Sequence, residues 1–279
     1  MRSQKIPSLQ DIRSFLSKIN FTSTYARTYS EYQAVRFYNS LRFLHPYLKN
    51  KKVLELGSRP YVFSLLLKKF YPDNNYFFTG FAKPRKKKHS FRFRNGKNEI
   101  LLAINTKWFD MEKDSFPYQS KFFDLVLVME TLEHLREDPM FMVKETNRVL
   151  KKRGLLFLTT PNSVSWMHLF QLFQMQSPSE SPTYTVGGRG NYKEYTPFEV
   201  KQLLESGGFK IRKLTTRDND STDSPESYVL KEGMNAIIKK WGRNVGSRNC
   251  YIYALAQKMG PLKDRYPEGI YTPLKSRHR

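Results

Sequence analysis

The segment Phe122-Phe-Asp-Leu-Val-Leu-Val-Met-Glu130-Thr-Leu-Glu-His134 combines a short apolar run with three polar side chains. The run Leu125–Met129 is rich in β-favouring residues and too short for a typical helix. Such a continuous apolar strand is typical of a parallel sheet covered on both faces. Because open α/β sheets bind ligands at the carboxyl ends of their strands, Glu130, Glu133 and His134 are predicted to lie at a functional site. The alternative is a strand followed by a solvated loop without chemistry.

The composition predicts a folded protein. A chain of 279 residues suits one domain of about 200 residues with extensions, and 15% aromatic residues argue against disorder. The single cysteine, Cys250, excludes an intrachain disulfide and a cysteine metal cluster. Neither an apolar run of membrane-spanning length nor a signal-peptide core occurs, so we expect a cytoplasmic protein.

The charge is strongly positive, +23 from 48 basic and 25 acidic residues. Residues 83–97 hold eight basic residues and no acid. A patch of this kind attracts phosphates, so nucleic acid and an anionic membrane surface are candidate partners. The alternative is a solvated loop that binds neither.

The chain divides into three predicted parts. Residues 1–50 show apolar side chains at helical spacing and are predicted to form a helical cap. Over residues 51–258, strands alternate with helices, as in a mostly parallel sheet with right-handed crossovers. The turn signal Asn95-Gly96 predicts an inserted basic hairpin at residues 83–104. Residues 259–279 are predicted to form a basic, irregular tail.

Two helix boundaries carry local signals. Pro60 is expected in the first turn of a helix over Tyr61–Phe70, a position that proline favours. A second helix is predicted over Pro139–Leu150, with the basic, glycine-terminated run Lys151–Gly154 as its end. A strand is then expected from Leu155.

The order of motifs resembles class I S-adenosylmethionine-dependent methyltransferases. Each motif is weak alone, but five in order at usual spacing are specific. They are Val53–Gly57, Phe109–Tyr118, Phe123–His134, Asn147–Asn162 and Glu194–Phe209. The resemblance implies a Rossmann-like α/β fold with a seven-stranded, mostly parallel sheet, an antiparallel last strand and an N-terminal helical extension. The subgroup that looks most similar is the bacterial methyltransferases associated with polysaccharide and O-antigen biosynthesis.

The resemblance also implies the cofactor, S-adenosylmethionine, and part of its site. Gly57, followed by Pro60 in the same loop, permits close backbone approach to the cofactor's methionine part. Glu55 is expected to support the amino-acid end, and Glu130 is expected beside the sulfonium. For Glu55 the alternative is a strand acid paired with a lysine.

The loop after the third strand resembles the adenine side of the family's site. Asp110 is expected to accept a hydrogen bond from the adenine amine, and Met111 to form an apolar wall. For Asp110 the alternative is an ordinary turn acid.

Two departures from the family pattern concern this cofactor site. The glycine-rich loop reads Gly57-Ser-Arg-Pro60, with one glycine where two or three are usual. The second strand ends Phe78-Thr-Gly80-Phe, without the acid that normally binds the ribose, and Asp73 precedes that strand. Either the hairpin supplies the ribose contact, or cofactor binding is weakened or lost.

His134, with Glu133, is predicted to act on the acceptor as a general base or as a positioning group. Together with Glu130 these residues could instead bind a divalent metal ion. We favour the first interpretation because the Glu-His pair is common in relatives that use no metal.

The predicted reaction is methyl transfer to a hydroxyl of a small-molecule or glycan acceptor. Aromatic and imidazole groups could line the acceptor pocket: Tyr118, Trp166, His168, Tyr192 and Tyr195. One alternative is an RNA methyltransferase that uses the basic residues 83–97, which the lack of a histidine in Gly190–Tyr195 disfavours. The other is a non-catalytic binding module. The sequence does not indicate an oligomeric state.

Overall fold

The computed structural model describes residues 5–21, 23–81, 88–95, 98–178, 190–219 and 248–260, together with 232, 233, 236, 240, 266, 267, 270 and 271. Residues 83–87, 96 and 97 of the basic segment and most of the predicted tail 259–279 lie outside the described residues. The domain boundaries drawn from the sequence stay a prediction.

Three helices open the chain: α1 Leu9–Ser17, α2 Thr24–Tyr32 and α3 Ala34–Leu44, followed by a 3₁₀ turn at His45–Tyr47. Strands then alternate with helices in the order β1 Lys52–Leu56, α4 Val62–Phe70, β2 Asn75–Gly80, β3 Lys88–Asn95, β4 Asn98–Trp108, β5 Phe123–Met129, a 3₁₀ turn at Leu132–His134, α5 Pro139–Val149, β6 Leu150–Pro161, α6 Trp166–Phe173, α7 Pro197–Ser206, β7 Phe209–Arg217 and β8 Tyr251–Lys258.

The eight strands form one sheet in the order β3-β4-β2-β1-β5-β6-β8-β7. The five strands from β4 to β6 in this order are parallel. β3 is antiparallel to β4, and β8 is antiparallel to both β6 and β7. The predicted fold class is confirmed. The described strands number eight rather than seven because β3 pairs with β4 and extends the sheet at its edge.

Apolar layers cover both faces of the sheet. Helices α1, α3 and α4 pack on one face, and α5 and α7 pack on the other. In β5, Leu125 and Leu127 face the first layer, whereas Val126 and Val128 face the second. This double burial explains why the strand is a continuous apolar run.

Both helix boundaries differ from the prediction. Tyr61, with a φ of 72°, caps α4, so Pro60 precedes the helix. Helix α5 ends at Val149, and Leu150 is already extended and paired with Phe123 of β5. Lys151 then binds Asp124 at 2.7 Å. Because of these contacts with β5, the residues predicted to end the helix belong to strand β6 instead. Across the described ranges, no helix is both long and apolar enough to cross a bilayer.

Candidate active site

The parallel strands bring most of the predicted site residues to one edge of the sheet. Gly57 follows β1, Asp110 follows β4, Glu130 follows β5 and His168 follows β6. Because carboxyl ends of parallel strands share one edge, these loops are neighbours. Tyr118 is separated from them, because its ring lies 4.9 Å from that of Phe123 at the start of β5, on the opposite edge.

The loop after β1 requires glycine at position 57. Gly57 has a φ of 68°, and a Cβ atom there would lie 2.4 Å from the Thr131 hydroxyl. The loop is tied to β2, because the Ser58 amide donates to the Thr79 carbonyl at 2.8 Å and the Thr79 amide donates to the Ser58 hydroxyl at 3.2 Å. This exchange was not foreseen from the sequence. These two hydrogen bonds fix the backbone of a loop that contains a single glycine.

The end of β2 is covered by an aromatic ring instead of carrying an acid. A Cβ on Gly80 would lie 2.2 Å from the ring of Trp108, which is its register partner in β4. Asp73 precedes β2 and so lies toward the opposite edge of the sheet. Among the described residues, the family's ribose-binding acid therefore has no replacement at this strand end.

Glu55 is a buried strand acid, 3% exposed. The Ser64 hydroxyl of α4 donates to its carboxylate at 2.5 Å. Burial raises the pKa of Glu55 to about 8, against the opposing effect of the serine hydrogen bonds. In the described structure its partner is Ser64 and not a lysine.

Glu130 forms a buried ion pair with Arg36 of α3. Arg36 Nη1 lies 3.6 Å from Glu130 Oε1, and the two side chains are 1% and 13% exposed. Glu130 has a φ of 47°, which turns the chain sharply after β5. Burial raises the pKa of Glu130, whereas the charge of Arg36 lowers it.

The other nitrogens of Arg36 are already bound. Nε donates to Gln33 at 2.6 Å, and Nη2 donates to the Tyr29 hydroxyl at 2.6 Å. Arg36 Nη1 and Glu130 Oε1 make no hydrogen bond to any described residue. Because buried polar atoms are normally hydrogen-bonded, this donor and this acceptor are unusual in having only each other as an ion-pair partner in the described structure. The sequence signal for Arg36 is its place on the inward stripe of α3, with Phe37, Leu41 and Leu44.

Glu133 and His134 lie on the following turn. Glu133 is 2% exposed and accepts a hydrogen bond from the Thr160 hydroxyl at 2.9 Å. Burial, and then the charge of Glu130, raise the pKa of Glu133 well above its ordinary value. The His134 side chain is 34% exposed, and its Nδ1 lies 3.2 Å from the Gly190 carbonyl oxygen.

The three predicted polar groups are neighbours, but their side chains turn to different partners. Glu130 turns to Arg36, whereas Glu133 turns to Thr160. In the part of the chain that the structure describes, no group of three histidine, cysteine, aspartate or glutamate side chains could hold a metal ion.

The loop after β4 is a hydrogen-bonded turn. Asp110 Oδ1 accepts from the Glu112 amide at 2.9 Å, and the Asp110 amide donates to Asp114 at 2.8 Å. Asp110 Oδ2 makes no hydrogen bond to a described residue, so it is available to a ligand. Met111 is completely buried beneath the turn, so its side chain offers no surface to an adenine ring.

The acceptor side of the edge is formed by α6 and the segment before α7. His168 Nδ1 lies 3.4 Å from Glu194 Oε2. Tyr192 is 64% exposed, whereas Tyr195 is buried and bridges Asn162. Of the aromatic residues predicted to line an acceptor pocket, Trp166 and Tyr192 therefore remain candidates, whereas Tyr195 is part of the hydrophobic core.

A family model described as "Methyltransferase domain" matches residues 25–214. The chain belongs to this family. Membership confirms the predicted enzyme class and the predicted cofactor, S-adenosylmethionine.

Two curated relatives share part of this methyltransferase's sequence. The chain is 28% identical over 148 residues to a ubiquinone biosynthesis O-methyltransferase of Pelagibacter ubique, covering 53% of this chain and 58% of the relative. It is 29% identical over 98 residues to the protein of the same name from Parvibaculum lavamentivorans, covering 33% and 36%. The chain thus matches about a third to somewhat over half of these relatives' length. The predicted link to polysaccharide enzymes gains no support from them.

Solved structures share the fold. A SAM-dependent methyltransferase from Archaeoglobus fulgidus has a TM-score of 0.53 at 18% identity, covering 85% of this chain and 100% of that chain. A SAM-dependent methyltransferase from Thermotoga maritima, described as a possible histamine N-methyltransferase, has a TM-score of 0.51 at 15% identity, covering 84% and 96%.

Proposed function

We propose that this methyltransferase transfers a methyl group from S-adenosylmethionine to a hydroxyl oxygen of a small molecule. The carrying observation is the buried pair of Arg36 and Glu130 beside the Gly57 loop. Its guanidinium donor and its carboxylate acceptor, both without a hydrogen bond in the described structure, suit the carboxylate and ammonium of the cofactor's amino-acid end.

The side chains around this pair have distinct roles in the proposal. Gly57 permits close backbone approach, Pro60 shapes the same loop, and the buried Glu55 supports it from β1. Asp110 Oδ2 accepts a hydrogen bond from the adenine amine, and Met111 supports the turn from below. When bound, S-adenosylmethionine supplies a methyl group on a positively charged sulfur.

The acceptor is inferred from the relatives, which are named O-methyltransferases. An oxygen acceptor must lose a proton as its bond to carbon forms. His134 is exposed enough to meet an acceptor and is proposed to position or deprotonate it. Burial raises the pKa of Glu133, and its carboxyl group accepts a hydrogen bond from the Thr160 hydroxyl, so Glu133 is proposed to support the turn that carries His134.

Methyl-labelled S-adenosylmethionine tests the proposal. The purified protein is incubated with catechol, with a neutral oligosaccharide and with single-stranded RNA, and label transfer is measured for each. We expect transfer to a hydroxyl compound, with Arg36→Met inactive. Arg42→Met, an exposed change on the same helix, is the active control. Calorimetry of cofactor binding is run in parallel.

The possible results separate the parts of the proposal. Label only in RNA would replace the small-molecule acceptor with the nucleic-acid alternative. Cofactor binding without transfer to any hydroxyl compound would overturn the acceptor class. A folded protein that does not bind the cofactor would support a non-catalytic module.

A further inference from the structure

The second histidine at this edge is held differently from His134. His168 lies in the first turn of α6, whose Ser165 cap accepts a hydrogen bond from the His168 amide at 3.2 Å. Its Nδ1 faces Glu194 Oε2 at 3.4 Å, and the two side chains are 17% and 16% exposed. Glu194 Oε1 accepts a hydrogen bond from the side-chain amide of Asn191 at 2.9 Å. The carboxylate is therefore fixed on one side and directed at the imidazole on the other.

This arrangement defines the chemistry of the ring. A carboxylate 3.4 Å from Nδ1 favours the tautomer with its proton on Nδ1, which leaves a lone pair on Nε2. His168 Nε2 makes no hydrogen bond to a described residue. When Nε2 takes up a proton, the nearby Glu194 carboxylate stabilises the resulting imidazolium.

The carboxylate that faces His134 is farther from the imidazole ring than Glu194 is from the ring of His168. His134 Nδ1 contacts the Gly190 carbonyl at 3.2 Å, and its Nε2 lies 3.9 Å from Glu133 Oε1, beyond hydrogen-bonding distance. Burial raises the pKa of Glu133, because a poorly solvated site disfavours the charged carboxylate.

We infer that His168, oriented by Glu194, is the general base for the acceptor hydroxyl, and that His134 is a positioning residue; this rests on the proposed function. His168 Nε2 takes the hydroxyl proton as the acceptor oxygen bonds to the methyl carbon. The carbon–sulfur bond breaks, and its electron pair stays on sulfur, which becomes neutral. The proton on His168 is then released to solvent.

Both histidines occupy the same neighbourhood. Gly190, which contacts His134, and Asn191, which holds Glu194, are adjacent in one segment. The charge of Glu194 also contributes to the raised pKa of Glu130, which places Glu194 within electrostatic reach of the cofactor-binding end of β5. The segment 190–194 thus contacts both histidines.

The test compares His168→Gln, Glu194→Gln and His134→Gln in methyl transfer to catechol, or to whichever hydroxyl compound the wild type accepts. Loss of a general base lowers rates by about 100-fold to 10,000-fold. We expect His168→Gln to lower kcat by that factor with the KM for S-adenosylmethionine unchanged. Glu194→Gln should lower kcat by a smaller factor. His134→Gln should raise the acceptor KM more than it lowers kcat. Added imidazole should restore part of the activity of His168→Ala.

A second readout does not need turnover. Diethyl pyrocarbonate modifies unprotonated imidazole nitrogens, and peptide mass spectrometry locates the modified histidines. We expect modification of His168 and its protection by the acceptor. Unchanged kcat in His168→Gln, or an unreactive His168, would overturn the inference. If the wild type binds the cofactor but methylates no hydroxyl compound, the proposed function fails, and the reactivity of His168 still decides whether its Nε2 is free.

Discussion

Arg36 Nη1 lies 3.6 Å from Glu130 Oε1, so a buried ion pair links helix α3 to the residue that follows β5. The arginine comes from the N-terminal helices, and the carboxylate comes from the carboxyl edge of the sheet. The N-terminal helices therefore contribute a charged group to the candidate site. An ion pair this buried is costly to break, because the remaining charge stays in a poorly solvated place.

Replacing Arg36 by methionine should lower both stability and cofactor affinity. Removing one partner of a buried pair typically costs about 3–5 kcal/mol of unfolding free energy. We expect a loss of that order in urea unfolding, and at least roughly a tenfold weaker affinity for S-adenosylmethionine in calorimetry.

Two further variants control this experiment. Arg42→Met, on the exposed side of the same helix, should change neither quantity appreciably. The double variant Arg36→Met with Glu130→Gln should regain part of the stability, because no unpaired charge remains. If the losses of Arg36→Met and Glu130→Gln, each measured alone, simply add in the double variant, the two side chains do not interact.

Glu55 should make the wild-type protein less stable as the pH rises. The pKa of Glu55 is about 8 in the folded state, against an ordinary value of 4.5. Above pH 4.5 the unfolded chain loses this proton while the folded protein keeps it. The free energy of unfolding therefore falls by about 1.4 kcal/mol per pH unit, until the carboxyl group of the folded protein also ionises near pH 8.

Urea unfolding of Glu55→Gln and wild type at pH 5.5 and 7.5 measures this effect. From pH 5.5 to 7.5, the free energy of unfolding of the variant should rise by about 2–3 kcal/mol relative to that of the wild type. Glu31→Gln, an exposed change on α2, should show no such gain. A difference between Glu55→Gln and wild type that stays constant with pH would contradict the raised pKa.

Gly57→Ala should lose cofactor binding as well as stability. Alanine in a left-handed conformation costs about 1–2 kcal/mol, and here its Cβ would also meet Thr131. Gly208 has a similar φ of 79° but lies between α7 and β7, away from the carboxyl edge. Gly208→Ala should lose about 1–2 kcal/mol in urea unfolding yet retain cofactor affinity. If a folded Gly57→Ala protein retained its affinity for S-adenosylmethionine, this loop would not contact the cofactor.

The sheet was predictable where the local pattern and the tertiary environment agree. The apolar run of β5 is visible in the sequence because both of its faces are buried. The start of β6 was not predictable, because the run Lys151–Gly154 resembles a helix end. The pairing of Leu150 with Phe123 depends instead on residues distant in sequence. Such long-range pairing overrides a local signal worth only a fraction of a kcal/mol.

The candidate site was predictable by position but not by direction. The motif after β5 correctly marks the carboxyl edge. Its spacing does not reveal that Glu130 turns toward Arg36 and Glu133 toward Thr160, because the left-handed backbone at Glu130 is set by the folded surroundings. The pairing of His168 with Glu194 joins residues 26 positions apart, which no local motif indicates.

Asp110 is both a turn residue and the expected adenine ligand, and two variants separate these roles. Asp110→Ala removes the acceptor for the Glu112 amide and the proposed ligand oxygen together. Asp114→Ala removes a different bond of the same turn, the one donated by the Asp110 amide at 2.8 Å, and leaves the Asp110 carboxylate in place. Because a hydrogen bond to a charged group contributes about 1.5–3 kcal/mol, Asp110→Ala should weaken S-adenosylmethionine binding roughly tenfold or more.

Calorimetric titration of both variants, with urea unfolding of each, distinguishes the alternatives. Asp114→Ala should lose stability but bind the cofactor nearly as the wild type does. Asp110→Asn, whose amide oxygen can still accept hydrogen bonds, should bind more tightly than Asp110→Ala. If Asp110→Ala and Asp114→Ala lose affinity in proportion to their loss of stability, Asp110 shapes the turn, and the adenine amine is bound by another group.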